Sequence, residues 1–221
     1  MLAPIKHLLG KYRIVLASGS PRRQELVKML GLNAELCPST FEENLNLEDF
    51  KEFSDYIEAT ALGKAEEVFS RLSASGDSKD LIVIAADTMV TLGKEIYGKP
   101  KDPADAFRML TNYPYRTIFF IRLVCLAPRI AYLAGVVLKH ANGIRKFTDT
   151  ADVYFGDLLP EQIQSYVDTG HPLDKAGAYG VQGPGGALIH RIDGDFYCVM
   201  GLPLHRLCCE LNKLFLEDLS S

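Results

Sequence analysis

The sequence predicts an α/β fold, and three observations carry that prediction. Arg13 to Ala17 and Leu81 to Ala86 are short apolar runs without polar alternation, as expected of strands covered on both faces. Helical periodicity lies between and after them, clearest over Ser54 to Leu72, where Ile57, Ala61, Ala65, Val68 and Leu72 share one face. Strands that alternate with helices build an α/β layer architecture.

The elements follow in chain order. After the first strand comes Ser18-Gly-Ser-Pro-Arg-Arg23, which reads as a strand-to-helix junction. Ser20 is a suitable N-cap, and Pro21 suits the first helical position because its missing N–H is unneeded there. That helix runs to about Leu30, with Gly31 as the residue just past its end. Cys37 to Phe41 leads into a loop carrying Glu42 and Glu43, and Ser73 to Lys79 is a polar loop ahead of the second strand. Asp87 and Thr88 directly follow the run Leu81–Ala86, where ligands gather at the carboxyl ends of strands in open α/β sheets. Lys99 precedes Pro100 and is therefore extended. Asp102 and Pro103 start another helix, with Asp105 supporting the cap. A shorter helix spans Leu159 to Val167, ahead of the glycine-rich stretch Gly177 to Gly186. The closing helix, about Pro203 to Leu216, places Leu204, Leu207, Leu211 and Leu214 on one face.

Composition narrows the class. The chain has 221 residues, 48% hydrophobic and 24% charged, enough for a core that needs no disulfide or structural metal. With a net charge of −4 nothing global argues for a nucleic-acid partner, and any acidic substrate must be met by locally gathered cations. Five cysteines with no C-x-x-C spacing read as reduced cytoplasmic thiols, and the first ten residues lack the apolar core of a signal peptide. Ile118 to Leu138 has the length of a membrane span, but Arg122, Pro128 and Arg129 interrupt it. Each central Arg would cost roughly 2.5–3.5 kcal/mol on insertion scales.

The chemistry-bearing residues form scattered groups. Ser18, Ser20, Arg22 and Arg23 lie at a helix N-terminus, where unpaired N–H groups attract anions. Two arginines in a first turn oppose the helix dipole, which points to a bound anion as readily as to a solvated surface. Asp87 at a strand end can hold Mg²⁺, take a proton from water, or cap the following turn. The Glu42–Glu43 pair could complete a cation site, and Lys64 and Lys99 could reach phosphate oxygens as point charges. Gln182 closes Asp174-Lys-Ala-Gly-Ala-Tyr-Gly-Val-Gln182, and its amide can both donate to and accept from a uracil or thymine edge. No Walker A, H-E-x-x-H or G-x-S-x-G pattern occurs.

Taken together, Leu16-Ala-Ser-Gly-Ser-Pro-Arg-Arg-Gln-Glu-Leu26, Ala85-Ala-Asp-Thr88, Gly98-Lys-Pro100, Asp174 through Gly183, Gly194-Asp-Phe and Gly201-Leu-Pro203 resemble the Maf family of nucleotide pyrophosphatases. The flanks are similar to Maf-like domains fused in some animals to an acetylserotonin O-methyltransferase-like region. The resemblance implies a single domain over 1–221 with a bent mixed β-sheet flanked by helices in two lobes and a cleft between them. It implies hydrolysis of nucleoside triphosphates between the α- and β-phosphates, with a divalent cation: Mg²⁺, or Mn²⁺ or Co²⁺ in its place. By resemblance, Asp87 is the proton acceptor, and Ser18, Arg23, Glu42, Lys64 and Lys99 are polar site residues. Arg22, Thr88 and Gln182 match the branch preferring dTTP and UTP. On this reading Glu42 and Asp87 hold the metal, while Arg23, Lys64 and Lys99 stabilise charge on the leaving pyrophosphate. The implied partner is the nucleotide substrate, with no nucleic acid and no membrane, in a cytoplasmic protein for which a homodimer is compatible.

One segment departs from the family pattern. After Met109-Leu110, a Leu-Ser-Gly turn and a His-containing strand are expected, but Thr111 to Ala134 is apolar and longer by roughly a dozen residues, judged from ordinary strand and loop lengths. It reads as sequence foreign to the fold, such as translated intron, or as a lineage-specific insertion. Two further readings therefore accompany the enzyme: a non-catalytic nucleotide-binding or regulatory module disabled by 111–134, and a membrane-associated protein resting on Ile118–Leu138.

Overall fold

A computed structural model describes residues 2–74, 80–113 and 130–218. Its elements are helix α1 (Lys6–Leu9), strand β1 (Arg13–Leu16), α2 (Pro21–Met29), β2 (Glu35–Leu36), α3 (Phe53–Ser73), β3 (Leu81–Leu92), β4 (Glu95–Ile96), α4 (Pro103–Asn112), β5 (Ile130–His140), β6 (Gly143–Phe155), α5 (Pro160–Asp168), β7 (Ile189–Gly194), α6 (Phe196–Met200) and α7 (Leu204–Lys213). The seven strands form one sheet in the order β2-β1-β3-β5-β6-β7, with β4 added on β3. β1 runs parallel to β2 and β3, while β3–β4 and β6–β7 are antiparallel, so the sheet is mixed as expected.

The chain gathers into two compact units. The first comprises Met1–Thr88, Leu133–Asp149 and Gly201–Ser221. Its core is the α3 stripe Ala61, Ala65 and Val68 packed on Val15, Ala17, Leu81, Val83, Ala85 and Val137. The strand contributors from β3 are all odd-numbered, because successive side chains of a strand point to opposite faces. α3 lies close enough that a Cβ on Gly135 would come to 3.0 Å from the Ile57 backbone, so any larger residue would have to push the helix back. The helix caps follow the sequence at several points: Gly31 takes a left-handed φ of 75° after α2, and Pro21 opens that helix. α7 continues past Lys213 as a π-helical turn, Leu214–Asp218, close to the expected end.

The second unit comprises Met89–Tyr132 and Thr150–Met200. α4 is capped as predicted: Asp102 accepts from the Asp105 N–H at 2.8 Å, and Asp105 accepts in return from the Lys101 N–H at 3.1 Å. The centre of this unit is aromatic. Tyr113 packs on Phe155 at 4.9 Å, Tyr97 at 5.6 Å and Tyr179 at 6.1 Å, and Tyr179 reaches Tyr132 at 5.6 Å. The glycine-rich stretch is not a bare loop but contains two 3₁₀ turns, Ala176–Ala178 and Gly183–Leu188.

Two expectations change. Leu81–Ala86 does not end its strand: β3 continues to Leu92, and Asp87 and Thr88 lie within it. The residues Thr88, Val90 and Thr91 are β-branched and sustain the extended backbone. The strand end that matters is that of β1, whose last pair with β3 is Leu16↔Ile84, leaving Asp87 just beyond the parallel ladder. In the apolar segment, residues 114–129 lie outside the described residues, whereas Ile130–Ala134 form the start of β5. Thus the part of Ile118–Leu138 that is described is strand, and among the described residues no helix is long and apolar enough to cross a membrane.

Candidate active site

Just past the β1–β3 ladder, two cations meet β3 on its two faces. Alternation along the strand puts Asp87 on the α3 side with Val83 and Ala85, and Thr88 on the other. On the Thr88 face the Arg23 guanidinium donates from Nε to the Gly201 carbonyl (3.0 Å), and from Nη1 to the Ala86 carbonyl (2.8 Å) and Ser18 Oγ (3.3 Å). Nη2 donates to Thr88 Oγ1 at 2.7 Å. Ser18 is buried, and its Oγ also accepts from the Ser20 N–H at 3.2 Å. These four hydrogen bonds use most of the five N–H donors of a guanidinium. Burial lowers the Arg23 pKa, against the attraction of Asp87 and then Glu43, which raises it; the repulsion of Arg22 adds to the lowering. Gly201, with φ 104°, lets its carbonyl come in close: a Cβ there would sit 3.1 Å from Thr88 Oγ1.

On the α3 face Lys64 Nζ lies 2.8 Å from Asp87 Oδ1 and 2.8 Å from Glu43 Oε1. Lys64 and Asp87 are largely buried, with side chains 12% and 17% exposed, whereas Glu43 is 54% exposed. Two carboxylates thus converge on one cationic point, a donor set of hard oxygens. Among the described ion pairs, Glu43 and not the neighbouring Glu42 supplies the second carboxylate.

The segment before Glu43 is held on α3 by identifiable contacts. The Phe41 ring rests on Gly63, where a Cβ would come within 2.4 Å of it. Glu67 accepts from Ser39 Oγ at 2.8 Å and the Thr40 N–H at 3.0 Å, and Arg71 donates to the Pro38 carbonyl at 3.0 Å. Burial raises the Glu67 pKa, but the hydrogen bonds from Arg71, Thr40 and Ser39 outweigh it and hold the carboxyl at about 2. Sequence reasoning did not single out Phe41, Gly63, Glu67 or Arg71. The only linear signal was Glu67 four residues before Arg71, the spacing of an ordinary surface helix pair.

The remaining predicted residues stand as follows. Ser20 occupies the N-cap of α2 but makes no side-chain capping bond there; its own N–H donates to Ser18 Oγ. Arg22, on the first turn of α2, makes no side-chain hydrogen bond or ion pair among the described residues. In the second unit, Lys99 and Gln182 are both exposed. The turn before Lys99 is tied to the glycine-rich stretch through the Gly177 N–H, which is shared between the Gly98 and Tyr97 carbonyls at 3.0 and 3.1 Å.

A parallel ladder end flanked by a helix N-terminus, with acids and half-buried cations gathered beside it, defines an α/β protein built around a charged site. The particular kind follows from the sequence as a whole: the chain belongs to the Maf family, whose model, described as Maf-like protein, matches residues 13–214. It is 38% identical to a dTTP/UTP pyrophosphatase of Thermosipho africanus over 88% of this chain and 90% of that protein. It is 40% identical to a dTTP/UTP pyrophosphatase of Aquifex aeolicus over 91% of this chain and 97% of that protein. A probable bifunctional dTTP/UTP pyrophosphatase/methyltransferase protein of Homo sapiens is 37% identical over 97% of this chain, which spans only 34% of that relative.

Proposed function

We propose that this protein is a nucleoside triphosphate pyrophosphatase that hydrolyses dTTP and UTP, with modified pyrimidine nucleotides as further substrates, to the monophosphate and pyrophosphate. The observation that carries the reading is the Asp87–Lys64–Glu43 bridge, with both ion pairs at 2.8 Å, beside the Ser18–Arg23–Thr88 cage. It occurs in a chain 38–40% identical to proteins named dTTP/UTP pyrophosphatase.

Asp87 has its Oδ1 engaged by Lys64, and Oδ2 makes no hydrogen bond among the described residues. In the proposed mechanism Oδ2 orients a water and takes its proton. The water oxygen bonds to phosphorus as the α–β phosphoanhydride breaks, and pyrophosphate leaves with the bonding electron pair. Arg23 is fixed by its neutral acceptors, so its role is to hold positive charge near the reacting phosphates and to shape the Ser18–Thr88 corner. Arg22 and Ser20, at the N-terminus of α2, are the proposed mobile phosphate contacts. Lys99 and Gln182 are the proposed contacts of the second unit, to phosphate and to the pyrimidine edge.

The proposed cofactor is a divalent cation, Mg²⁺ or in its place Mn²⁺ or Co²⁺. Among the described residues no group of three His, Cys, Asp or Glu side chains could hold a metal. Two carboxylates, Asp87 and Glu43, still fit Mg²⁺, which commonly binds one or two carboxylates together with substrate phosphates and water. When bound, the ion would neutralise phosphate charge. The second carboxylate of the proposal thereby moves from Glu42 to Glu43. The proposed location is the cytoplasm, supported by the free thiols Cys37, Cys198, Cys208 and Cys209.

Pyrophosphate release from a nucleotide panel with Mg²⁺ tests the reading, with dTTP and UTP expected to lead. Asp87→Asn is expected to lower kcat by about 10²- to 10⁴-fold, the range of a lost general base. Tight nucleotide binding without turnover in the wild type would instead support the non-catalytic regulatory module.

A further inference from the structure

Tyr113 lies where the chain departs from its family pattern, directly after α4, and its side chain is 5% exposed. Its hydroxyl donates to the Gly177 carbonyl at 2.5 Å. The N–H of the same residue is shared by the Tyr97 and Gly98 carbonyls, at 3.1 and 3.0 Å. Gly177 is therefore gripped on both sides: its N–H by the turn that carries Lys99, its C=O by Tyr113. The grip needs glycine. Gly177 has φ 74°, and a Cβ there would come within 2.9 Å of the Tyr113 oxygen and 3.1 Å of Val90. The next residue, Ala178, has φ 57°, a left-handed conformation that L residues seldom adopt without surrounding contacts to hold it. Three residues beyond Gly177, the Gly180 N–H donates to the Tyr166 hydroxyl at 3.3 Å, so a second phenol fixes the stretch before Gln182.

We propose that Tyr113 is a positioning residue for nucleotide recognition, its hydroxyl fixing the Gly177 peptide that joins the Lys99 turn to the Gln182 stretch. The inference rests on the reading of Lys99 and Gln182 as nucleotide contacts. Tyr113 itself touches no reacting group. Burial, with lesser contributions from Tyr132 and Tyr97, keeps its pKa far above the ordinary phenol value, so the hydroxyl remains a donor throughout the working pH range. Without it the Gly177 carbonyl would lose its buried hydroxyl donor, and the left-handed pair Gly177–Ala178 would lose one of its restraints.

Tyr113→Phe removes the hydroxyl and keeps the ring packing. The expected result is a rise in KM for dTTP and UTP of about tenfold, the scale of one buried hydrogen bond, with kcat within about twofold of wild type. Amide hydrogen exchange over residues 174–183 is expected to accelerate by a similar factor, with the denaturation midpoint lowered by the loss of that one hydrogen bond. Gly177→Ala, which crowds the same hydroxyl, is a second variant expected to raise KM in the same way. Unchanged KM in both variants of an active enzyme overturns the inference, as does unchanged exchange over 174–183. A wild type that releases no pyrophosphate from any nucleotide refutes the proposed function instead, and the exchange comparison still decides whether Tyr113 holds the loop.

Discussion

Arg23 and Lys64 approach the same stretch of β3 from its two faces, and they are bound by partners of opposite kind. Arg23 donates to the neutral oxygens of Ser18, Ala86 and Thr88 and to the Gly201 carbonyl, while Lys64 rests between the carboxylates of Asp87 and Glu43. A guanidinium spread over four separate acceptors is locked by geometry, and among the described residues its charge has no carboxylate in direct contact. An ammonium between two acids is a counterion that another cation could replace. The pair of residues that looked equivalent in sequence divides into a guanidinium fixed on neutral acceptors and an ammonium bridged between two acids.

The largest effect that would test this division is on Arg23. Arg23→Lys keeps the charge but cannot reach four diverging acceptors, and buried oxygens left unpaired should cost about 2–3 kcal/mol of stability. Urea denaturation would measure it; a midpoint equal to wild type would show that the cage is not held by the fork of the guanidinium. Lys64→Met should be milder, about 1–2 kcal/mol, because Glu43 is half exposed and water can screen the freed carboxylates. The sharper readout for that variant is cation dependence. With the ammonium gone, Mg²⁺ should stabilise the variant against heat more than it stabilises the wild type. An identical Mg²⁺ response in the two proteins would mean that Lys64 does not compete for the cation position.

The smallest effect concerns the loop that delivers Glu43. Glu67 has its carboxyl held at about 2, below the ordinary 4.5. A depressed folded-state pKa contributes stability above the unfolded value and loses it as pH falls through the folded one. The stability advantage of wild type over Glu67→Gln should therefore be full above pH 4.5 and shrink as pH falls toward about 2. Acid denaturation of the two proteins in parallel checks this, and a difference independent of pH across that window would remove Glu67 from the account.

Much of the scaffold was legible because local rules agreed with it. The stripe Ile57, Ala61, Ala65 and Val68 is buried along α3, Asp102 caps α4, and Gly31 closes α2 in the left-handed region. The site was legible in its ingredients and less so in its arrangement. Ser18, Arg23, Lys64, Asp87 and Thr88 are assembled in one unit, but nothing linear sorts them onto two faces of a strand. Reading Asp87 as a strand terminus failed because the apolar run stops at a charge while the β-branched backbone continues to Leu92. Choosing Glu42 over Glu43 depended on how a loop is laid against α3. That is decided by the Phe41 ring on bare Gly63 and by Glu67 holding Ser39 and Thr40.

By itself the sequence determined the first strand, the start of β3, where the main helices begin, and which family motifs the chain carries, because these depend on periodicity, capping and residues close together along the chain. The strands β5, β6 and β7 were not read from it. Only the tertiary structure decided which carboxylate meets Lys64, which oxygens occupy Arg23, and that the Tyr113 hydroxyl grips Gly177. Those contacts join residues 21, 178 and 64 positions apart, where side-chain direction and backbone approach, not local preference, choose the partner.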